Sequence, residues 1–298
     1  MTDAPNTEPP HDAPGGREPQ PLPPVAVLGV GNMSGAILAG LLASPFAPQA
    51  PVRTTNRSGA SARALAEAHR VEALALEEDP EANARAVRDA RLVVLGVKPH
   101  LLLGVLREVR EALPPDAVVV SLAAGVPIAA MQRELRPGQP VVRAMPNTPA
   151  ALRLGVTGVA AGAHADAEDM RLVRALFSGV GEVVEVEEEG IAAVAGVSGS
   201  GPAYVYLFME GLIDAAVDAG LPPADARRMV EATVLGAAEM VRRSPGLEPA
   251  ELRRRVTSPN GTTERALAVF QEQDLAGTVR RAVRANIRRS HELAAENG

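Results

Sequence analysis

The chain has 298 residues, 46% of them hydrophobic and 22% charged, with a formal net charge of −6. That length holds two domains of ordinary size, and the balance describes a folded globular protein rather than a disordered one. The negative charge and the 2% aromatic content exclude a basic stacking platform for nucleic acid, and the absence of cysteine excludes disulfides and thiolate metal sites. The five histidines (His11, His69, His100, His164 and His291) show no ligand spacing, so no metal site is expected. No apolar run occurs within the first 24 residues, so no secretory leader is expected and a cytoplasmic enzyme is the default expectation. Those residues hold eight prolines and two adjacent glycines among polar side chains, and read as a disordered tail.

From Val25 the pattern changes. Four apolar residues, Val25 to Leu28, read as a short buried strand; Gly29 and Gly31 turn the chain, and Met33 to Leu42 continues at helical spacing. This strand, glycine turn and helix form the arrangement that binds a dinucleotide pyrophosphate, with free N–H groups at the helix start. Gly29, Val30, Gly31, Asn32, Met33 and Ser34 are therefore cofactor-binding candidates. Ser34 stands where the third glycine of the usual fingerprint would be, at a point where helix and strand pack closely.

Val52 to Asn56 forms the second strand, at whose end such a fold meets the adenosine ribose. An NAD enzyme places an acid there to bind the 2′-hydroxyl, but no acidic residue occurs from Phe46 to Ala66. Asn56-Arg57-Ser58 stands there instead, and an arginine between small hydrogen-bonding side chains suits a 2′-phosphate. NADPH is favoured over NADH on this ground. Ser58 also fits as the cap of a helix over Ala60 to His69.

A strand near Val71 to Leu74 and a helix from about Pro80 lead to Leu92–Val97, apolar throughout as a central parallel strand should be. It runs into Lys98-Pro99-His100. Of 30 basic residues 29 are arginine, and Lys98 is the one lysine, marking a place where a compact ammonium fits and a planar guanidinium does not. Strands over Ala117–Leu122 and Val141–Ala144 run into Ala123-Ala124-Gly125 and Met145-Pro146-Asn147-Thr148-Pro149. Strands over 155–161 and 180–186, with a helix over Asp166–Phe177 between them, complete a doubly wound α/β plan.

After about residue 187 the strand pattern stops and Ala, Leu, Val and Arg recur at helical spacing. The division expected is a tail over 1–24, a dinucleotide-binding domain over 25–187 and a helical domain over 188–298. The first helical stretch, Ile191–Ala219, is interrupted at Ser198-Gly199-Ser200-Gly201-Pro202. Beyond it, apolar residues cover most of the circumference and leave only Glu210, Asp214 and Asp218 as a polar stripe. Three acids on one face argue against a membrane span. A helix so widely apolar needs more partner surface than one small helical domain offers, which points to a homodimer interface. Helices over Pro222–Arg243 and Pro249–Val256 precede Ser258-Pro259-Asn260-Gly261-Thr262-Thr263-Glu264, where backbone N–H groups and hydroxyls gather at a helix start suited to a small carboxylate.

Taken together, Val97-Lys98-Pro99-His100, Met145-Pro146-Asn147-Thr148-Pro149, Ser198-Gly199-Ser200-Gly201-Pro202-Ala203-Tyr204 and the Ser258–Thr263 loop resemble the pyrroline-5-carboxylate reductases, the last enzymes of proline synthesis. The resemblance runs from about Val25 to His291. It implies a Rossmann-type doubly wound domain followed by an all-helical dimerisation domain, an active site between them completed at the dimer interface, and dimers that assemble into a decamer. It implies that Gly29–Ser34 hold the pyrophosphate, Asn56, Arg57 and Ser58 the 2′-phosphate, and Asn83 a cofactor ribose. Val97, Lys98 and Pro99 would line the cofactor, with Met145, Pro146, Asn147 and Thr148 near the nicotinamide. Ser258, Gly261, Thr262 and Thr263 would hold the substrate carboxylate. Thr263 is then nearest the imine nitrogen and joins Lys98 as a catalytic candidate. Asn260 stands where that family usually has a glycine; if the position needs positive φ, asparagine is the least costly substitute. The reaction implied is hydride delivery to a cyclic iminium, which is already electrophilic and calls for no metal or nucleophile.

Overall fold

The computed structural model describes residues 19–297. Most of the stretch expected to be a tail lies outside the described residues, but its last part is packed. Leu22 is buried and its N–H donates to the Phe46 carbonyl at 2.9 Å. Within the stretch read as a tail, one apolar side chain among the prolines thus anchors the approach to the first strand.

The chain then runs β1 (Val25–Leu28), α1 (Asn32–Leu42), β2 (Val52–Asn56), α2 (Gly59–Ala68), β3 (Val71–Ala75), α3 (Ala82–Val87) and β4 (Leu92–Leu95). It continues through α4 (Pro99–Val109), β5 (Val118–Ser121), α5 (Ile128–Glu134), β6 (Val141–Met145), β7 (Gly155–Ala161), α6 (Ala167–Ser178) and β8 (Gly181–Glu185). These strands make one sheet in the order β3-β2-β1-β4-β5-β6-β7-β8. Neighbours pair in parallel except β6 and β7, which are antiparallel with Met145 opposite Gly158. The connection over 146–154 is too short for the crossover a parallel pair requires.

Alternation along each strand divides the core into two layers. Val25, Val27, Leu92 and Val94 face α1 and α6, where Ile37, Leu41, Leu176 and Phe177 are buried. Ala26, Leu28, Val93 and Leu95 face the other layer, with Leu102, Leu106 and Met131 from α4 and α5. Each fully buried leucine or phenylalanine contributes about 1.5–3 kcal/mol relative to exposure. At the start of α6, Asp166 accepts from the Asp169 N–H (2.9 Å) and Asp169 accepts from the Asp166 N–H (3.0 Å), while Arg91 reaches the buried Asp169 carboxylate at 2.6 Å.

The described chain forms two compact units, one reaching to Gly199 and including Ile287 onward, the other spanning Ser200–Asn286. The chain passes between them beyond the change in composition near 187, because Ile191 and Ala192 of α7 (Ile191–Val194) are buried in the first unit. The interruption expected at Ser198–Pro202 lies earlier, as a π-helical turn over Ala195–Gly199; Ser200 is then the N-cap of α8 (Gly201–Asp218), which Gly201 and Pro202 open. The helical unit continues with α9 (Pro223–Arg242), α10 (Pro249–Arg255), α11 (Thr262–Glu272) and the first part of α12 (Leu275–Glu296), whose residues from Ile287 belong to the first unit. Phe208 and Phe270 bring α8 and α11 together with ring centroids 6.4 Å apart. No residue of α8 is buried, and Leu207 is 69% exposed. The run Glu188–Asp218 is long and apolar enough to cross a membrane by composition, but Glu210, Asp214 and Asp218 recur along its exposed side. Such a face is suited to another protein surface rather than to lipid.

Candidate active site

The parallel strands β1, β2, β4, β5 and β6 end on one edge of the sheet, and strand order reverses between β1 and β4, where open α/β sheets receive ligands. Gly29, directly after β1, has φ +74°, and a β-carbon there would lie 2.6 Å from Val97 Cγ1. Only glycine combines that backbone with that closeness. Nothing lies within 4 Å of where a β-carbon on Gly31 would be, so the backbone is open on that side. The first-turn N–H groups of Asn32 and Met33 have no helical carbonyl to bond and carry the positive end of the α1 dipole.

Ser34, buried in the first turn of α1, accepts from the Gly31 N–H at 3.0 Å and donates to the Gly29 carbonyl at 3.1 Å. The serine thus braces the glycine turn from within. Its room comes from the neighbouring strand end, where Gly96 has no side chain.

At the tip of β2, Asn56 Nδ2 donates to the Val30 carbonyl at 3.1 Å and ties the second strand to the glycine turn. Asn56 Oδ1 is buried without a partner. Such an acceptor suits a hydroxyl donor, while the second Nδ2 hydrogen of the same carboxamide is of the kind a phosphate oxygen accepts. Arg57 is exposed, and Ser58 Oγ accepts from the Ser61 N–H at 3.3 Å, capping α2 as its type and position suggest. The fold also brings up an acid that the local sequence omits. Glu78, after β3, comes close against Gly59 and pairs with Arg63 at 2.9 Å. Only the β2–β3 pairing shows that it belongs to this corner.

Asn83 is buried in α3 and bonded to Thr55 and Glu108. Lys98 is the N-cap of α4 with extended backbone (φ −64°, ψ 148°), as the following Pro99 requires, and its side chain is exposed. Pro146 and Asn147 are buried, Thr148 is exposed and Met145 half-buried. Asn147 spans two connections, donating to the Ser198 carbonyl at 3.0 Å and accepting from the Val156 N–H at 2.8 Å. A β-carbon on Gly199 would lie 2.9 Å from Met145 Cε, so the π-turn closes on the end of β6. These residues come together on one edge and fit a dinucleotide: an open glycine turn, free helix-start donors and an unpartnered buried acceptor.

The Ser258–Thr263 loop belongs to the helical unit. Asn260 has φ +59°, the conformation for which asparagine is the least costly replacement of glycine. The turn is held by the Gly261 N–H donating to the Ser258 carbonyl at 3.0 Å, and by the Asn260 N–H donating to Glu264 Oε2 at 2.7 Å. Glu264 thus satisfies one loop amide; its position three residues into the helix is the signal that marks it. Thr262 and Thr263 open α11, both exposed, with first-turn N–H groups free to receive an anion.

The chain is 42% identical over 277 residues to the pyrroline-5-carboxylate reductase of Pseudomonas aeruginosa, covering 93% of this chain and 98% of that one. The chain belongs to the pyrroline-5-carboxylate reductase family. The corresponding Escherichia coli protein is 35% identical over 91% of this chain and 98% of its own length. Residues 188–293 match the family profile described as pyrroline-5-carboxylate reductase dimerisation, and 24–125 match that of coenzyme F420-dependent NADP oxidoreductases. Among solved structures, the Coxiella burnetii pyrroline-5-carboxylate reductase has a TM-score of 0.85 at 35% identity, covering 92% of this chain and 99% of that one. The Plasmodium falciparum pyrroline carboxylate reductase, solved with NADP bound, has a TM-score of 0.78 at 25% identity over 91% of this chain and 98% of its own. The protein is an oxidoreductase that reduces 1-pyrroline-5-carboxylate to proline with NAD(P)H, and it carries a dimerisation domain.

Proposed function

We propose that NADPH lies along the carboxyl edge of the first unit and that the Ser258–Thr263 loop holds the carboxylate of 1-pyrroline-5-carboxylate. The observation that carries this is the open backbone over Gly31 beside the free N–H groups of α1, at the point where strand order reverses. Gly29–Ser34 hold the pyrophosphate there. Asn56, Arg57 and Ser58 line the 2′-phosphate, with Asn56 Oδ1 accepting from a ribose hydroxyl, and Asn83 reaches the other ribose. Val97, Lys98, Pro99 and Met145–Thr148 flank the nicotinamide ring.

When bound, the cofactor supplies a hydride to the imine carbon. The chain's part is to hold the reacting carbons at about 3–3.5 Å and in line. The N–H groups of Thr262 and Thr263 and the hydroxyl of Ser258 orient the ring through its carboxylate. The Thr263 hydroxyl hydrogen-bonds the imine nitrogen, while the Lys98 ammonium supplies positive charge at the cofactor edge. The small loop residues around Gly261 let the substrate approach the backbone.

The site is completed when two chains associate through the exposed faces of α8, and the dimers gather into a decamer in the cytoplasm; the resemblance of the helical segment to the family supports this assembly. Ten chains of 30.9 kDa form a species about tenfold heavier than the monomer, which sedimentation resolves. The deciding experiment supplies purified protein with 1-pyrroline-5-carboxylate or its six-membered homologue and compares NADPH with NADH. NADPH oxidation with the five-membered ring, faster than with NADH, is expected. Equal use of the two cofactors overturns the 2′-phosphate assignment, and absence of turnover with either overturns the site.

A further inference from the structure

Four groups from separate elements form one chain of hydrogen bonds beneath the glycine turn. The Gly29 N–H is shared between the Thr55 carbonyl at 3.1 Å and Thr55 Oγ1 at 3.2 Å, Thr55 Oγ1 donates to Asn83 Oδ1 at 2.8 Å, and Asn83 Nδ2 donates to Glu108 Oε2 at 3.2 Å. The direction of this chain is set at both ends. A backbone N–H can only donate, and an ionised carboxylate can only accept. Between them, the Thr55 hydroxyl receives from Gly29 and has one proton left, which goes to Asn83 Oδ1. Thr55 is fully buried and Asn83 is 3% exposed, so water does not offer either an alternative partner. The carboxamide is therefore held in one of its two orientations, and its second Nδ2 hydrogen has no partner among the described residues.

We infer that Glu108 is a positioning residue for the cofactor site, orienting the Asn83 carboxamide for a ribose and, through Thr55, steadying the Gly29 turn. This rests on the proposed placement of NADPH. Glu108 itself lies on the exposed side of α4 and acts only through Asn83. Removing its acceptor leaves a buried amide donor unsatisfied. Replacing it with a group that only donates drives Asn83 toward the opposite orientation, in which Thr55 meets two donors and no acceptor.

The test is a titration of NADPH onto the full-length protein, followed by the fluorescence of the nicotinamide, with kcat measured at saturating NADPH. Hydrogen bonds to charged groups are of a size that predicts a roughly 10-fold weaker Kd for Glu108→Ala and up to roughly 100-fold for Glu108→Lys. Glu108→Gln keeps an acceptor oxygen and is expected to stay within roughly 3-fold of the parent, with kcat at saturation nearly unchanged in all three. Thr55→Ser, which keeps the hydroxyl, and Thr55→Val, which removes it, form a second pair should the Glu108 variants fold poorly. Parent-like binding by Glu108→Ala, Glu108→Lys and Thr55→Val overturns the inference and leaves the cofactor site standing. Failure of the parent itself to bind NADPH overturns the site as well.

Discussion

Ser34 and Gly96 are fitted to each other: a β-carbon on Gly96 would stand 2.4 Å from Ser34 Oγ and 2.6 Å from Ser34 Cβ. The same hydroxyl bonds both Gly29 and Gly31, so the close approach of α1 to the end of β4 and the shape of the glycine turn are one constraint. Gly96→Ala is expected to destabilise the protein by about 1–3 kcal/mol, the usual cost of overpacking, and to weaken NADPH binding. Adding Ser34→Gly removes two of the three clashes but not the Gly29 carbonyl at 2.7 Å, so recovery should be partial. A double-mutant cycle by urea unfolding is expected to show a coupling of about 0.5–3 kcal/mol. Strict additivity would mean the two residues do not share the space.

The role proposed for Arg57 is to distinguish the two cofactors by charge. Arg57→Ala is expected to raise KM for NADPH by roughly 10-fold or more, the scale of a charge-assisted hydrogen bond, and to leave NADH almost unchanged. Parallel loss with both cofactors in steady-state kinetics would remove Arg57 from the 2′-phosphate.

Asn260 tests the substrate loop through its backbone. Asn260→Gly keeps φ +59° accessible and is expected to leave the melting temperature and the KM for 1-pyrroline-5-carboxylate close to those of the parent. Asn260→Val places a β-branched residue in the left-handed region and should cost at least about 1–2 kcal/mol, with a raised substrate KM and unchanged NADPH binding. Equal behaviour of the two variants would show that this turn does not shape the substrate site.

Thr263 separates chemistry from cofactor binding. Thr263→Ala is expected to lower kcat/KM for the imine far more than it weakens NADPH binding, since the residue opens α11 in the other unit. Equal losses in both would place the loop elsewhere.

Leu207 tests the association surface. It is 69% exposed on α8, so Leu207→Glu is expected to lower the sedimentation coefficient toward that of a monomer and to take activity with it. Retention of both would move the interface to another helix.

Much of the fold was legible because its signals are local. Val25–Leu28 and Leu92–Leu95 are continuous apolar runs, and each ends at a turn where glycine or proline dictates the backbone. The antiparallel turn of β7 was not legible, since nothing in 155–161 itself records which neighbour it pairs with. Nor was the packing of Leu22, one apolar residue in a proline-rich stretch.

For the site, the sequence alone determined the glycine turn, the lack of an acid from Phe46 to Ala66 and the loop at Ser258–Thr263, because side-chain type and near neighbours suffice to define them. The tertiary structure alone decided that Glu108 faces Asn83, that Ser34 fills the place beside Gly96, and that Glu78 stands against Gly59. Those partners are far apart along the chain. Their meeting depends on strand order and helix packing, which bring distant residues within bonding range and leave no mark in either local sequence.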